Sequence, residues 1–152
     1  MTNKEIQSLY KSQLGAGASY KRTRAPEAEP FWAGCEDGEL RLPWCLACHE
    51  PHFYPRSFCP HCGHQELEWR RMSGHGEIYS FAVVEAPIEK AFAEMLPYVV
   101  VIVELKEGVR LLAHLVEANV NKVHCGQSVE VQFFKMPGGI TAPVFIAAPG
   151  RK

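Results

Sequence analysis

The sequence predicts a mainly-β protein in three parts: short N-terminal helices, a small metal-held ribbon and a five-stranded barrel. Three observations carry that prediction. Cys45, Cys48, Cys59 and Cys62 form two C-x2-C pairs separated by ten residues. Beyond Glu66, strand-length runs rich in β-branched and aromatic residues alternate with Gly, Pro and Asn turns. Helical patterning occurs only ahead of the cysteines.

Residues 2–14 read as a first helix, with a Thr2/Glu5 capping box, Ile6, Leu9, Tyr10 and Leu14 on one face, and Gly15 and Gly17 as stops. A polar stretch follows, and an N-terminal arm and linker over residues 1–29 is expected. Pro30 suits the first turn of a second short helix carrying Phe31 and Trp32. The zinc ribbon is expected over residues 30–66. Asp37-Gly38 turns into a strand at 39–42 that runs into the first knuckle, and residues 52–54 are expected to return as its partner. Gly63 permits the tight turn after the second pair; His49 stands at the equivalent place after the first.

The barrel is expected over residues 67–152. Its first strand is expected to be long, from 68 to 85, and bent at Ser73-Gly74-His75-Gly76. Simple alternation puts Tyr79, Phe81 and Val83 on one face and Ile78, Ser80, Ala82 and Val84 on the other. A loop with amphipathic character around Ile88, Phe92 and Met95 precedes a β-branched strand at 98–105. Glu107-Gly108 makes a hairpin to a third strand at 109–116, and strands at 129–134 and 144–147 follow, with a turn at Pro137-Gly138-Gly139 between them. Five such strands describe an OB-type Greek-key barrel, and an SH3-like barrel fits the same periodicity.

The paired cysteines carry the sharpest chemistry. Two tight turns facing each other bring four thiolates into a tetrahedron, the geometry of a closed structural zinc site with no place left for substrate. Iron in a rubredoxin-like setting is the competitor; the short central gap favours zinc. Disulfides would need an oxidising compartment, and nothing at the N-terminus resembles an export signal, so a cytoplasmic protein is expected. Cys35 and Cys125 stand alone, as small buried hydrophobes usually do. His49, His61 and His64 are expected on the ribbon surface.

A 47% apolar composition supports a genuine core, while a net charge of -1 gives no global bias toward a polyanion. A single-stranded nucleic-acid binder remains the alternative, with Tyr79, Phe81, Phe133 and Phe134 for stacking and Arg70, Arg71 and Lys135 for charge. No catalytic constellation appears. His75 and His114 are isolated, which argues against an enzyme.

Taken together, the F-W-x-G of Phe31, Trp32 and Gly34, the two knuckles, Pro55-Arg56, the S-G-x-G of Ser73, Gly74 and Gly76, and the P-Y-V-V from Pro97 to Val100 resemble one family. It is the zinc-ribbon plus OB-fold family of acyl-CoA-associated proteins, long known only as a domain of unknown function. The resemblance covers residues 30–148; His49 and His64 depart from its usual Gly and Ser. It implies a non-catalytic accessory or scaffold subunit that carries structural zinc and associates with a thiolase-like enzyme. A CoA thioester is a candidate ligand and Arg56 a candidate contact for its phosphate. Phe31, Trp32, Phe92, Met95, Leu96 and Tyr98 are candidates for the partner interface.

Overall fold

A computed structural model of the chain describes residues 25–86, 96–135 and 139–150. The expected first helix, the interface candidates Phe92 and Met95, and Pro137-Gly138 lie outside the described residues.

A single 3-10 turn, Pro26–Ala28, leads into helix α1, Glu29–Glu36, with Pro30 in its first turn, where a missing N–H costs nothing. Strand β1, Arg41–Cys45, then enters the first knuckle. Its partner is β2, Leu67–Arg71, in antiparallel register from Arg41↔Arg71 to Cys45↔Leu67. The expected partner at 52–54 is therefore corrected. That leg touches β1 through a Trp44↔Pro51 bridge and a bond from His52 N–H to the Pro43 carbonyl at 3.1 Å, and goes no further. Pro51 and Pro55 lack the N–H groups a ladder needs.

The same pairing corrects the long first barrel strand. Residues 67–71 belong to the ribbon sheet, and the barrel begins at β3, His75–Val84. The glycine bend is the crossover between two sheets. Met72 N–H donates to the Leu40 carbonyl on one side, and Val131 N–H donates to the Gly74 carbonyl on the other. Glu107 clamps the bend by accepting from the Ser73 backbone N–H and hydroxyl. Gly76 is required here, since a Cβ would lie 2.3 Å from the Glu104 carbonyl oxygen.

Strands β4 (Tyr98–Leu105), β5 (Arg110–Leu115), β6 (Ser128–Lys135) and β7 (Thr141–Ala147) complete a closed barrel in the order β3-β4-β5-β7-β6. Closure through a parallel β5–β7 contact, Leu115↔Phe145, with β6 returning to β3, is OB topology and sets aside the SH3-like alternative. In β3 the register shifts between Ile78 and Ser80. One extra residue reverses the side-chain parity downstream, so Ile78, Phe81 and Val83 share the face of Val103, Val101 and Val99. The expected grouping of Ile78 against Phe81 and Val83 fails for that reason.

The interior is one continuous apolar cluster. Phe31, Cys35, Leu40 and Leu42 from the helix and ribbon join Ile78, Val101, Val103, Leu111, Val129 and Phe145 from the barrel. Helix α1 contacts both β1 and β7, and Thr141 N–H donates to Glu36 at 3.3 Å. The helix is thus the wedge between ribbon and barrel. Phe31, offered as an interface candidate, is buried in this core, while Trp32 is half-buried beside it.

Candidate metal centre

The sulfurs of Cys45, Cys48, Cys59 and Cys62 lie within 4.8 Å of one another. Two local repeats produce this convergence. The N–H of His49 donates to the Cys45 carbonyl at 3.0 Å, and the N–H of Gly63 donates to the Cys59 carbonyl at 2.9 Å. Cys45 N–H meets the Glu50 carbonyl at 3.0 Å, and Cys59 N–H meets the His64 carbonyl at 2.8 Å. The knuckles are therefore superposable turns, and both turn residues take positive φ, 60° at His49 and 79° at Gly63. A histidine can adopt the left-handed region at a cost of roughly 1–2 kcal/mol. That is how the first knuckle keeps its form without glycine.

The local electrostatics favour thiolate at Cys45 and oppose it at Cys48 and Cys62. Backbone N–H groups of Cys48, and then Ala47, pull the Cys45 thiol down to about 6 despite its burial. Burial and the neighbouring Cys59 sulfur push Cys48 up to about 12. Cys62 accepts from the His64 backbone N–H, yet burial and the Cys45 sulfur leave it raised. Four soft sulfurs at this separation fit a single tetrahedral zinc ion, which would neutralise the repulsion they exert on one another. With four protein ligands the ion would contribute folding energy and offer no open position for catalysis.

Burial differs among the four. Cys45 and Cys59 are 0% exposed, Cys48 is intermediate, and Cys62 reaches solvent. His49, His61 and His64 are exposed, as expected; His61 Nε2 lies 3.3 Å from the Pro51 carbonyl and not among the sulfurs. Cys35 is buried, its thiol pushed up to about 12 by that burial. Cys125 is exposed, contrary to the expectation for a lone cysteine. It sits in the turn whose Gly126 N–H binds the Ile78 carbonyl, and such a turn faces its side chains outward.

Several features were not legible beforehand. His52 is 2% exposed beneath the ribbon, and burial lowers its pKa. Arg70 stacks over the Trp44 indole at 4.5 Å and pairs with Glu68. Phe31, Trp32, Phe53 and Tyr54 form an aromatic cluster, with Trp32 Nε1 donating to the Tyr54 hydroxyl at 3.4 Å. Leu46 and Phe58, one in or beside each knuckle, are 42% and 44% exposed. An apolar residue inside or adjoining a C-x2-C turn was the available signal, because the ligands occupy the inward positions.

Arg56 is exposed on the leg between the knuckles. Leu96 and Tyr98 are half-buried, and Tyr98 stacks on His114 at 5.3 Å. His75 is exposed in the bend. The aromatics that a nucleic-acid reading needs do not gather on one face. Phe134 is buried, Phe133 packs on the core, and Tyr79 lies under the Arg110 guanidinium at 3.6 Å. Arg70 and Arg71 belong to the ribbon sheet. No helix among the described residues is long and apolar enough to cross a membrane.

A four-cysteine ribbon joined to a closed OB barrel defines the structural class. Residues 32–68 match the model of the ChsH2 rubredoxin-like zinc ribbon domain, and residues 69–134 match the ChsH2 C-terminal OB-fold domain. The chain belongs to this ChsH2-type DUF35 family. It is 38% identical over 93 residues to a DUF35 domain-containing scaffold protein of Methanothermobacter thermautotrophicus, covering 60% of this chain and 69% of that one. It is 34% identical over 116 residues to a probable enoyl-CoA hydratase alpha subunit of Thermomonospora curvata, covering 76% of this chain but only 36% of the relative's length. Among solved structures, a chain of the Ltp2-ChsH2(DUF35) aldolase superposes with a TM-score of 0.76 at 30% identity, covering 85% of this chain and 100% of that one. A DUF35 protein of unknown function from Sulfolobus solfataricus, at 15% identity and TM-score 0.60 over 95% of both chains, shares the fold.

Proposed function

We propose that this chain is a non-catalytic scaffold subunit that docks a thiolase-like enzyme acting on acyl-CoA. In this reading Cys45, Cys48, Cys59 and Cys62 hold one structural zinc, and the reactive groups belong to the partner. The observation that carries the proposal is the match to a chain of the Ltp2-ChsH2(DUF35) aldolase over that chain's whole length. Relatives named as scaffold proteins and as a hydratase subunit point to the same neighbourhood of acyl-CoA chemistry. The residues agree with a supporting role, since the sulfur site has no open ligand position. Retention of metal-bound thiolates suits the reducing cytoplasm.

The test is to recover the tagged protein from its own source and identify what accompanies it. A thiolase, aldolase or hydratase in stoichiometric amount is the expected result. Recovery of the chain alone, or with nucleic acid, would overturn the scaffold reading. Arg56 is assigned the candidate CoA contact, because it is cationic, exposed and adjacent to the ribbon. Arg56→Ala should weaken CoA binding by the isolated complex while leaving its zinc content unchanged, and unchanged CoA affinity would remove Arg56 from that role.

A further inference from the structure

The four ligand cysteines differ in exposure, and that difference has a chemical consequence. Cys62 is the exposed member of the set, while Cys45 and Cys59 are fully buried and Cys48 is partly so. The sulfur of Cys62 lies 3.6 Å from that of Cys45, on the other knuckle. A thiolate held by zinc is already deprotonated, so its reactivity toward an oxidant is governed by access. A sulfenic acid formed beside a second thiolate condenses with it to a disulfide.

We propose that Cys62 is an oxidative modification site through which hydrogen peroxide releases the ribbon's zinc, with Cys45 as the resolving thiolate. The Cys62 thiolate attacks one peroxide oxygen, the O–O bond breaks, and hydroxide leaves, giving a sulfenic acid. The Cys45 thiolate then attacks the Cys62 sulfur, the S–O bond breaks, and a second hydroxide leaves. Two thiolates each lose one electron and the two peroxide oxygens gain them, so one disulfide and two hydroxides form per peroxide. Only Cys48 and Cys59 then remain as thiolates. Two ligands do not hold a structural zinc, and the ion departs. The Cys48 and Cys59 sulfurs are equally close at 3.6 Å, but neither residue is as exposed as Cys62, so the order of events is set by Cys62.

The inference rests on the zinc-ligand assignment proposed above, and the experiment separates the two. Zinc content is measured first on the purified full chain carrying Cys125→Ser, which removes the other exposed thiol. Absence of zinc would overturn the ligand assignment itself. The zinc-loaded chain is then titrated with hydrogen peroxide in the presence of a chromogenic zinc chelator, and its disulfides are mapped by mass spectrometry. One zinc released per Cys45–Cys62 disulfide is expected, and thiol reduction with added zinc should restore the starting state. Retention of zinc, or a first disulfide joining Cys48 to Cys59, would overturn the proposal. Cys62→His keeps four ligands and should slow release at least tenfold; release at the parent rate would also overturn it. Should that variant fail to load zinc, the disulfide map of the parent decides alone.

Discussion

Residues 46–66 contribute no member to the buried apolar cluster, and Phe53 alone of them packs partly buried against it. Leu46, Tyr54 and Phe58 are exposed, and the fixed points include two turns, one bridge to β1 and the converging sulfurs. The barrel is ordered otherwise. Val101, Val103, Leu111, Val129 and Phe145 are buried, and each strand finds two neighbours around a closed sheet. The comparison teaches that order in this chain has two separable sources. A segment too small for a core relies on coordination, while the barrel relies on removing apolar area from water. Helix α1 and the shared cluster of Phe31, Leu40 and Leu42 join the two.

The largest way to break this contrast is to remove a ligand. Cys59→Ser, or exhaustive chelation, should abolish zinc binding and expose backbone amides between residues 45 and 66 to rapid hydrogen exchange, while barrel amides stay protected. Structural zinc supplies apparent energies of about 10–16 kcal/mol in small modules. Knuckles that remained protected without metal would show that burial, not coordination, orders them. The complementary change is Phe145→Ala, which should cost about 3–5 kcal/mol in denaturant unfolding by opening the barrel core. Zinc content should remain at one per chain; its parallel loss would mean the two regions are one cooperative unit.

A pH series sharpens the comparison. Burial lowers the pKa of both His52 in the ribbon and His114 in the barrel below the ordinary 6.5. The unfolded chain therefore binds protons that the folded one refuses as pH falls below that value. Stability is full above it and declines on acidification. With zinc in excess, the melting temperature should fall as the pH drops below about 6.5, and His114→Gln should flatten part of that slope. An unchanged slope would remove His114 from the balance. The smallest expected effect is at His49. His49→Gly should relieve the positive-φ cost and raise zinc affinity, by about 1 kcal/mol at most. Weaker zinc binding would indicate that the imidazole itself supports the knuckle.

Local signals served well where local chemistry is decisive. The β-branched run at 98–105 is β4 with the same bounds, because side chains branched at Cβ pack well on a pleated strand. Gly63 takes the φ its turn requires. The failures are non-local. Leu67–Arg71 has ordinary strand character, and nothing in it says that its partner is β1 and not the barrel. A single-residue bulge at Tyr79 moved Phe81 to the inner face, where it is still 36% exposed. Cys125 faces solvent because of the turn that holds it, and a lone cysteine carries no sign of that. For the site, the four cysteines and their spacing were visible at once, but their unequal access was not.

The sequence by itself determined the strand content, the paired knuckles and their turn residues, and the zinc-ribbon plus OB-fold family. Those depend on side-chain period, backbone conformation and ligand chemistry within a few residues of each position. Only the tertiary structure decided which strands pair and which way the bulged strand turns its aromatics. It also decided that Phe31 fills the core between ribbon and barrel, and which ligand cysteine is exposed. Each of these depends on what a distant segment covers, and burial is a property of the assembled surface, not of the residue.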